Sequence, residues 1–476
     1  MLWLGFSSGL PLALTAGALQ AWLTVEGVTI RTIGYFALVG LPYTFKFVWA
    51  PLLDRFEPPM LGRRRGWIVV FQLALALACF GMATLEPGRS IEAIAMVAVL
   101  IAFMSASQDV VFDAYRADLL DADERGAGAA VSVLGYRLAM LVSGGAALVI
   151  ADQWLGWPDT YRLMGVLTGV LALGTLFCPA IPSVARALSP ARVELVGFLV
   201  MVATGAVVWW VLSRIAAYAL GADGAAGAGD PAAAPSRVVV LMVDTGILAT
   251  TGLAAILAAR RVGFPSFVKP WDAFFSRRHA MALLVLIVLY KLGDAFAGAL
   301  TTSFLLRGVG FSQTEVGTIN KGLGLAATLV GALAGGAWLS RRSLYEALMI
   351  FGILQAVSNL GYWALAVLPK SYGLMAAAVG IENLCGGMGT AAFVAFLMAL
   401  TDARFSAAQY ALLSALSAVG RIYVGPASGV MVESLGWPAF FLATVFTALP
   451  GIGLLWWLRA DVLALGKVKP AAAADD

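Results

Sequence analysis

Apolar runs of about 20 residues follow one another along almost the whole chain, each closed by a short stretch of charges, Gly or Pro. None alternates with the period of two that marks a half-buried strand. Runs of this length suit helices crossing a hydrocarbon layer ~30 Å thick, where every backbone polar group must be satisfied within its own segment. Fourteen spans are predicted, at 1–23, 32–53, 66–85, 92–117, 128–151, 160–180, 193–217, 238–259, 280–306, 315–339, 344–367, 372–400, 409–432 and 438–459. The first starts at Met1 and lacks a small-residue cleavage site, so it reads as a true span rather than a signal peptide. The pattern excludes a β-barrel. Composition excludes a soluble domain, since 61% of residues are hydrophobic and 12% charged, against about half and about a quarter in soluble proteins.

Counting Lys and Arg in alternate loops gives 18 on one side, including Arg63, Arg64 and Arg65, and 6 on the other: Arg31, Arg89, Arg162, Arg237, Arg307 and Lys370. The positive-inside rule assigns the richer side, and with it both termini, to the cytoplasm. The net charge of +4 is scattered over short loops and indicates no nucleic-acid partner. Cys79, Cys178 and Cys385 sit singly in apolar runs, and His279 is the only histidine. Neither a disulfide framework, a metal cage nor a His-based catalytic triad is expected.

The chain repeats itself weakly and in the same direction. Leu155-Gly156-Trp157-Pro158 recurs as Leu435-Gly436-Trp437-Pro438, and upstream of each lies a span with one arginine, Arg137 and Arg421. Glu26-Gly27-Val28 before Ile33-Gly34 resembles Arg307-Gly308-Val309 before Val316-Gly317. A parallel repeat of six spans is the organisation of major facilitator transporters. The expected fold is therefore all-α and integral to the membrane, with a six-helix bundle at 1–182, an inserted pair of spans with a cytoplasmic connector at 183–279, a second six-helix bundle at 280–460 and a cytoplasmic tail at 461–476. The inserted pair should lie outside a twelve-helix core. Its Arg214 and Asp244 either pair with each other or reach toward an interface.

Seven of the 31 basic residues remain inside spans: Lys46, Arg116, Arg137, Arg214, Lys291, Lys321 and Arg421. A charge at the bilayer centre costs ~2.5–3.5 kcal/mol on insertion scales, so such residues pair with an acid or line a polar path. Lys291 and Asp294, three residues apart on one helix, favour pairing. Ser105, Asp109, Asp113 and Arg116 share one face of the fourth span. Asp113 and Arg116, near the cytoplasmic end, read as a latch at the inner mouth or as substrate contacts. Asp109 lies deeper and, with Glu382 and Asp294, is a candidate proton carrier. The runs Gly144-Gly145, Gly335-Gly336 and Gly386-Gly387 favour close helix packing. No phosphate loop or catalytic constellation is present, so an enzyme is not expected.

Leu52-Leu53-Asp54-Arg55 followed by Gly62-Arg63-Arg64-Arg65 resembles a stretched form of the major facilitator loop motif, which makes Asp54 and Arg55 cytoplasmic gate candidates. More specific are Leu4-Gly5-Phe6-Ser7-Ser8-Gly9-Leu10-Pro11, Leu19-Gln20-Ala21-Trp22, Tyr43-Thr44-Phe45-Lys46-Phe47, Ser105-Ala106-Ser107-Gln108-Asp109, Phe112-Asp113-Ala114-Tyr115-Arg116 and Gly135-Tyr136-Arg137. Together they resemble the AmpG muropeptide permeases of Gram-negative bacteria, densely over residues 4–165 and more loosely at Lys291 to Asp294, Asn320-Lys321, Glu382-Asn383 and Gly420-Arg421. The pattern departs at Leu41, where family members carry a polar residue.

The resemblance implies an inner-membrane importer, a monomer without cofactor, that carries N-acetylglucosaminyl-1,6-anhydro-N-acetylmuramic acid and its peptides from periplasm to cytoplasm. It implies coupling to the proton motive force and a link to β-lactamase induction through cell-wall recycling. On such a substrate, Lys46, Arg137, Lys291, Lys321 and Arg421 would meet carboxylates. Gln20, Gln108, Asn320 and Asn383 would bond hydroxyls and acetamides. Trp22, Tyr43, Trp49, Tyr115 and Tyr136 either stack on sugar rings or pack between helices. The competing readings are a carrier for another bulky anion, such as acetyl-coenzyme A, and a membrane enzyme or sensor.

Overall fold

The structure is a computed structural model that describes residues 1–50, 53, 57, 58, 61–120, 125–179, 191–219, 237–262, 272, 274–401 and 406–465. Among the described residues the regular structure is helical, with no strand. Ten segments are long and apolar enough to cross a membrane. Two of them, Val131–Thr175 and Leu413–Trp457, are 45 residues long and cover expected spans five with six and thirteen with fourteen. Each is bent by a single glycine in the left-handed region, Gly156 at φ 69° and Gly436 at φ 75°, a conformation that costs Gly little. The second expected span is a chain of short helical pieces, Ile30–Tyr35, Phe36–Gly40, Leu41–Phe45 and Lys46–Val48. Pro42 lies in the first turn of the third piece and lacks the backbone N–H that a continuous helix would use, which weakens the bond ladder there. The eighth lies in helix Arg237–Val262.

Two other spans are broken. The first consists of Leu2–Thr15 and Gly17–Val25, with Ala16 between them at φ −117°, ψ −101°. The ninth breaks at Lys291 and again at Leu300, φ −123°, ψ 14°. A break frees carbonyls that a continuous helix would bond. One of these, on Ala299, accepts from Gln20 Nε2 at 2.8 Å, so the broken spans of the two halves satisfy each other.

Backbone and side chains both carry the parallel repeat. Trp157 stacks on Trp22 with ring centroids 6.4 Å apart, and Tyr161 packs 5.3 Å from Trp22. In the second half Trp437 lies 5.1 Å and Phe441 4.6 Å from Phe304. Gly27 and Gly310, at φ 83° and 84°, precede helix caps at Thr29 and Ser312, whose side chains accept from the Thr32 and Glu315 amides. This corrects the sequence alignment by two residues. Gly27 matches Gly310 rather than Gly308, because the left-handed glycine and the cap after it set the register. Gly34 and Gly317 keep their expected match.

The chain divides into two units, Met1–Ser183 with Arg278–Asp476, and Val184–Arg277. The first holds both halves of the repeat. In the second, helices Ala191–Ala219 and Arg237–Val262 pack side by side, with Gly205 facing Thr251 and Ala255. Arg260 pairs with Asp272 at 2.5 Å. Arg214 is exposed, its guanidinium 6.0 Å from the centroid of the Trp210 ring, and the side chain of Asp244 is outside the described residues.

Candidate functional site

Within the first half, spans one, three and four bring a polar cluster together. Ser7 accepts from Gln72 Nε2 at 2.6 Å and from Gln108 Nε2 at 3.0 Å. The neighbouring Ser8 donates to Asp109. Lys46 and Asp113 act on Asp109 through their charges, and Tyr136 is close enough to feel Asp109 and Arg137. Along span four Ser105 is buried, Asp109 half-buried and Asp113 exposed, so the shared face runs from the interior outward. Asp113 pairs with Arg116 on its own helix at 3.1 Å.

The second half carries a different arrangement at related positions. Lys291, at the break in span nine, donates to Asp294 and to Thr390, both at 3.2 Å. In the repeat Lys291 corresponds to Ser8 and Thr390 to Asp109, so the cation stands where the first half has a neutral donor. Glu382 accepts from Tyr362 at 3.3 Å and from Asn383 Nδ2 at 2.8 Å. Asn383 also accepts from Thr328 at 3.1 Å and donates to the Val379 carbonyl. Lys321 lies in a π-helical stretch, Val316–Leu323, of the kind often found at functional sites. Its ammonium group approaches Thr302 at 3.4 Å and the break in span one at Gly17. Asn320 beside it is buried.

Lys46, Arg137, Lys321 and Arg421 each have no carboxylate within ion-pair distance among the described residues. Arg421 is exposed and the other three are half-buried. Lys291 does have its Asp294 partner, as the spacing indicates.

Several expected contacts turn out to be committed within the protein. Gln20 holds the Ala299 carbonyl. Trp22 is 1% exposed and stacked on Trp157, Trp49 donates to Ser107 at 2.9 Å, and Tyr115 donates to the Pro179 carbonyl at 2.8 Å. Those three aromatics pack between helices. Tyr43 and Tyr136 are half-buried beside Asp109. Asp54 and Arg55 lie outside the described residues. Sequence reasoning missed Tyr362, Thr302 and Thr390, because an isolated Tyr or Thr in an apolar run has no spacing signal. The Ser7-Ser8 pair was visible only as part of a longer motif.

The halves meet closely at the end bearing the turns at Gly27, Gly156, Gly310 and Gly436. Two glycine crossings related by the repeat bring backbones together: a Cβ on Gly34 would lie 2.5 Å from the Gly425 carbonyl oxygen, and one on Gly317 2.7 Å from that of Gly145. Thr24 and Ser303 share a hydrogen bond of 2.8 Å between them.

A family model described as acetyl-coenzyme A transporter 1 matches residues 1–155. The anhydromuropeptide permease of Escherichia coli K12 is 50% identical over 455 residues, 96% of this chain and 78% of that one. A putative transporter of Rickettsia conorii, AmpG 4, is 27% identical over 96% of this chain and 95% of its own. Among solved structures, the POT family transporter PepTSo has a TM-score of 0.66 at 12% identity, covering 98% of this chain and 97% of that one. The xylose transporter XylE of E. coli in an inward open conformation has a TM-score of 0.60 at 11% identity, covering 100% and 96%. These likenesses carry the fold, while the extent and identity of the E. coli match carry the family. The chain belongs to the anhydromuropeptide permease family, multi-pass membrane transporters of the major facilitator fold.

Proposed function

We propose that this protein imports N-acetylglucosaminyl-1,6-anhydro-N-acetylmuramic acid and its peptides across the bacterial inner membrane, from periplasm to cytoplasm, by proton-coupled alternating access. Its termini then face the cytoplasm, and it works as a monomer without a cofactor. Uptake of this kind feeds cell-wall recycling and, where an inducible β-lactamase exists, its induction. The observation that carries the reading is Lys321, a cation in a π-helical stretch, held against the break in span one and lacking an ion-pair partner among the described residues. Such a cation lowers the cost of an anionic substrate that brings its own carboxylate. Lys46 and Arg137 add positive charge in the first half, and Asn320 and Asn383 offer amides to hydroxyls and acetamides. A proton carrier has to change occupancy between the two states, and Asp109 or Glu382 has the required chemistry.

The family model over residues 1–155 favours a second reading, a carrier for acetyl-coenzyme A. Uptake of radiolabelled anhydromuropeptide and of labelled acetyl-coenzyme A by energised right-side-out vesicles separates the two. Saturable muropeptide uptake, abolished by a protonophore, supports import; uptake of the coenzyme alone would replace it with the second reading.

A further inference from the structure

Three helix ends at the closely packed end of the bundle are capped by side chains from the opposite half. Span two begins at Thr29, whose hydroxyl takes the Thr32 amide. The Arg31 amide, two residues into the helix, donates instead to Glu433 Oε1 in the other half at 3.3 Å, and the Arg31 guanidinium bonds Glu433 Oε2 at 2.5 Å. Span ten begins at Ser312, whose hydroxyl takes the Glu315 amide. The Thr314 amide donates to Asp152 Oδ2 across the interface at 3.0 Å, and the Thr314 hydroxyl to the same oxygen at 2.5 Å. At the opposite kind of terminus, Arg307 donates to the Thr24 carbonyl, in the last turn of span one, and at 2.7 Å to that of Val28. The signs obey the helix dipole in all three cases, with carboxylates at N-termini and a cation at a C-terminus.

The first two caps are related by the repeat, Arg31 matching Thr314, and each uses the same second amide of its helix. A helix leaves its first amides and last carbonyls without internal partners. Here the Arg31 and Thr314 amides have these partners only while the halves are together, and the Thr24 carbonyl, which also accepts from the Gly27 amide at 3.3 Å, gains a charged donor. We propose that this end, which the basic-residue count assigns to the periplasm, is held shut by this exchange of helix caps between halves, centred on Asp152, Glu433 and Arg307. Opening then requires both helix N-termini to be handed to water and the Thr24 and Val28 carbonyls to lose their charged donor. The proposal rests on the reading of the protein as a two-state carrier but not on the identity of its substrate, so its test uses none.

Spin labels on Arg89→Cys and Leu368→Cys, at this end of the two halves, are placed in the full chain after Cys79, Cys178 and Cys385 are replaced by Ala, and interlabel distances are measured in lipid nanodiscs. Loss of one helix cap is expected to lower the ratio of closed to open populations between about 2-fold and 30-fold. Arg307→Met, Asp152→Ala and Glu433→Ala should each shift the distribution to longer distances. Arg162→Gln, which breaks an exposed pair with Asp159 inside one half, should not. The exchange Arg31→Glu with Glu433→Arg separates capping from a plain ion pair. It keeps the opposite charges but removes the acceptor of the Arg31-position amide, so the closed population should stay depleted. Restoration by the exchange, or unchanged distances in all three single variants, overturns the proposal. Should Asp152→Ala not fold, Thr314→Ala, which deletes the hydroxyl that donates to Asp152 and accepts from Gln153 but keeps the amide cap, carries the same expectation with a smaller shift.

Discussion

Asp109 and Glu382 are each held by a hydroxyl, Ser8 for one and Tyr362 for the other, and each has a lysine among the charges acting on it. Asp109 sits among neutral donors, one lysine and the carboxylate of Asp113. Glu382 shares its surroundings with Asp294, Lys291 and Lys321. A carboxylate whose neighbours change between two states exchanges a proton between them, each pKa unit being worth ~1.4 kcal/mol of coupling. Asp109→Asn is therefore expected to abolish accumulation driven by a pH gradient in vesicles, while substrate binding and counterflow exchange persist, because the amide mimics the protonated acid and still accepts from Ser8. Accumulation by the Asn variant would move the proton to Glu382. At Lys321 the expectation is different. Removing a charge-assisted bond to a ligand costs about 1.5–3 kcal/mol, so Lys321→Met should raise the dissociation constant for anionic muropeptide about 10-fold to 100-fold, read by calorimetry on purified protein. Unchanged affinity would remove Lys321 from the substrate path.

Both glycines of Gly144-Gly145 pack against neighbours, but in Gly335-Gly336 and Gly386-Gly387 one glycine packs and its neighbour does not. A Cβ on Gly335 would come within 2.9 Å of the Met388 backbone, and one on Gly387 would collide with the Thr328 carbonyl, whereas one on Gly336 or Gly386 would meet nothing within 4 Å among the described residues. Spans ten and twelve thus cross on Gly335 and Gly387. Gly387→Val should destabilise the protein by roughly 1–3 kcal/mol, seen as a lower midpoint in a thermal unfolding assay in detergent, and Gly386→Val should leave it nearly unchanged. Equal effects would mean that helix propensity, not packing, governs both sites. At this scale the sequence was informative about which runs form helices, since apolar length decides it. It was uninformative about where helices break. The breaks at Ala16 and Leu300 have no Pro or Gly at the broken residue itself, and at Leu300 the neighbouring Ala299 carbonyl takes its side-chain donor, Gln20, from the other half. Contacts between segments nearly 280 residues apart leave no local pattern to read. The same reason hid Tyr362 beneath Glu382, while Lys291 with Asp294 was legible because both lie on one helical turn.

Both halves of the repeat belong to one unit, and residues 184–277 form another. The repeated turns at Gly156 and Gly436, the aromatic clusters around Trp157 and Trp437, and the caps at Thr29 and Ser312 account for each other without any residue from that second unit. Replacing residues 193–259 with a flexible linker of Gly and Ser should then leave muropeptide uptake within a few-fold of the parent once expression is matched, because a linker of this composition imposes little geometry of its own. Complete loss of uptake by a variant that still folds would show that the inserted pair contributes to the transport path. Charge distribution was the other feature legible at this scale. The seven basic residues within spans and the pairing of Lys291 were evident from sequence, but only the structure shows that Lys46, Arg137, Lys321 and Arg421 have no carboxylate within ion-pair distance among the described residues.

The turns at Gly156 and Gly436 also bear on how the chain is made. Only a few polar residues flank each glycine, Asp152, Gln153, Asp159 and Arg162 at one and Glu433 and Ser434 at the other, so each 45-residue segment is still mainly apolar, and as a single rod it would measure ~68 Å, more than twice what a bilayer can cover. The translocon must release it as a hairpin, both arms together, and only a residue at ease with a positive φ allows so abrupt a reversal.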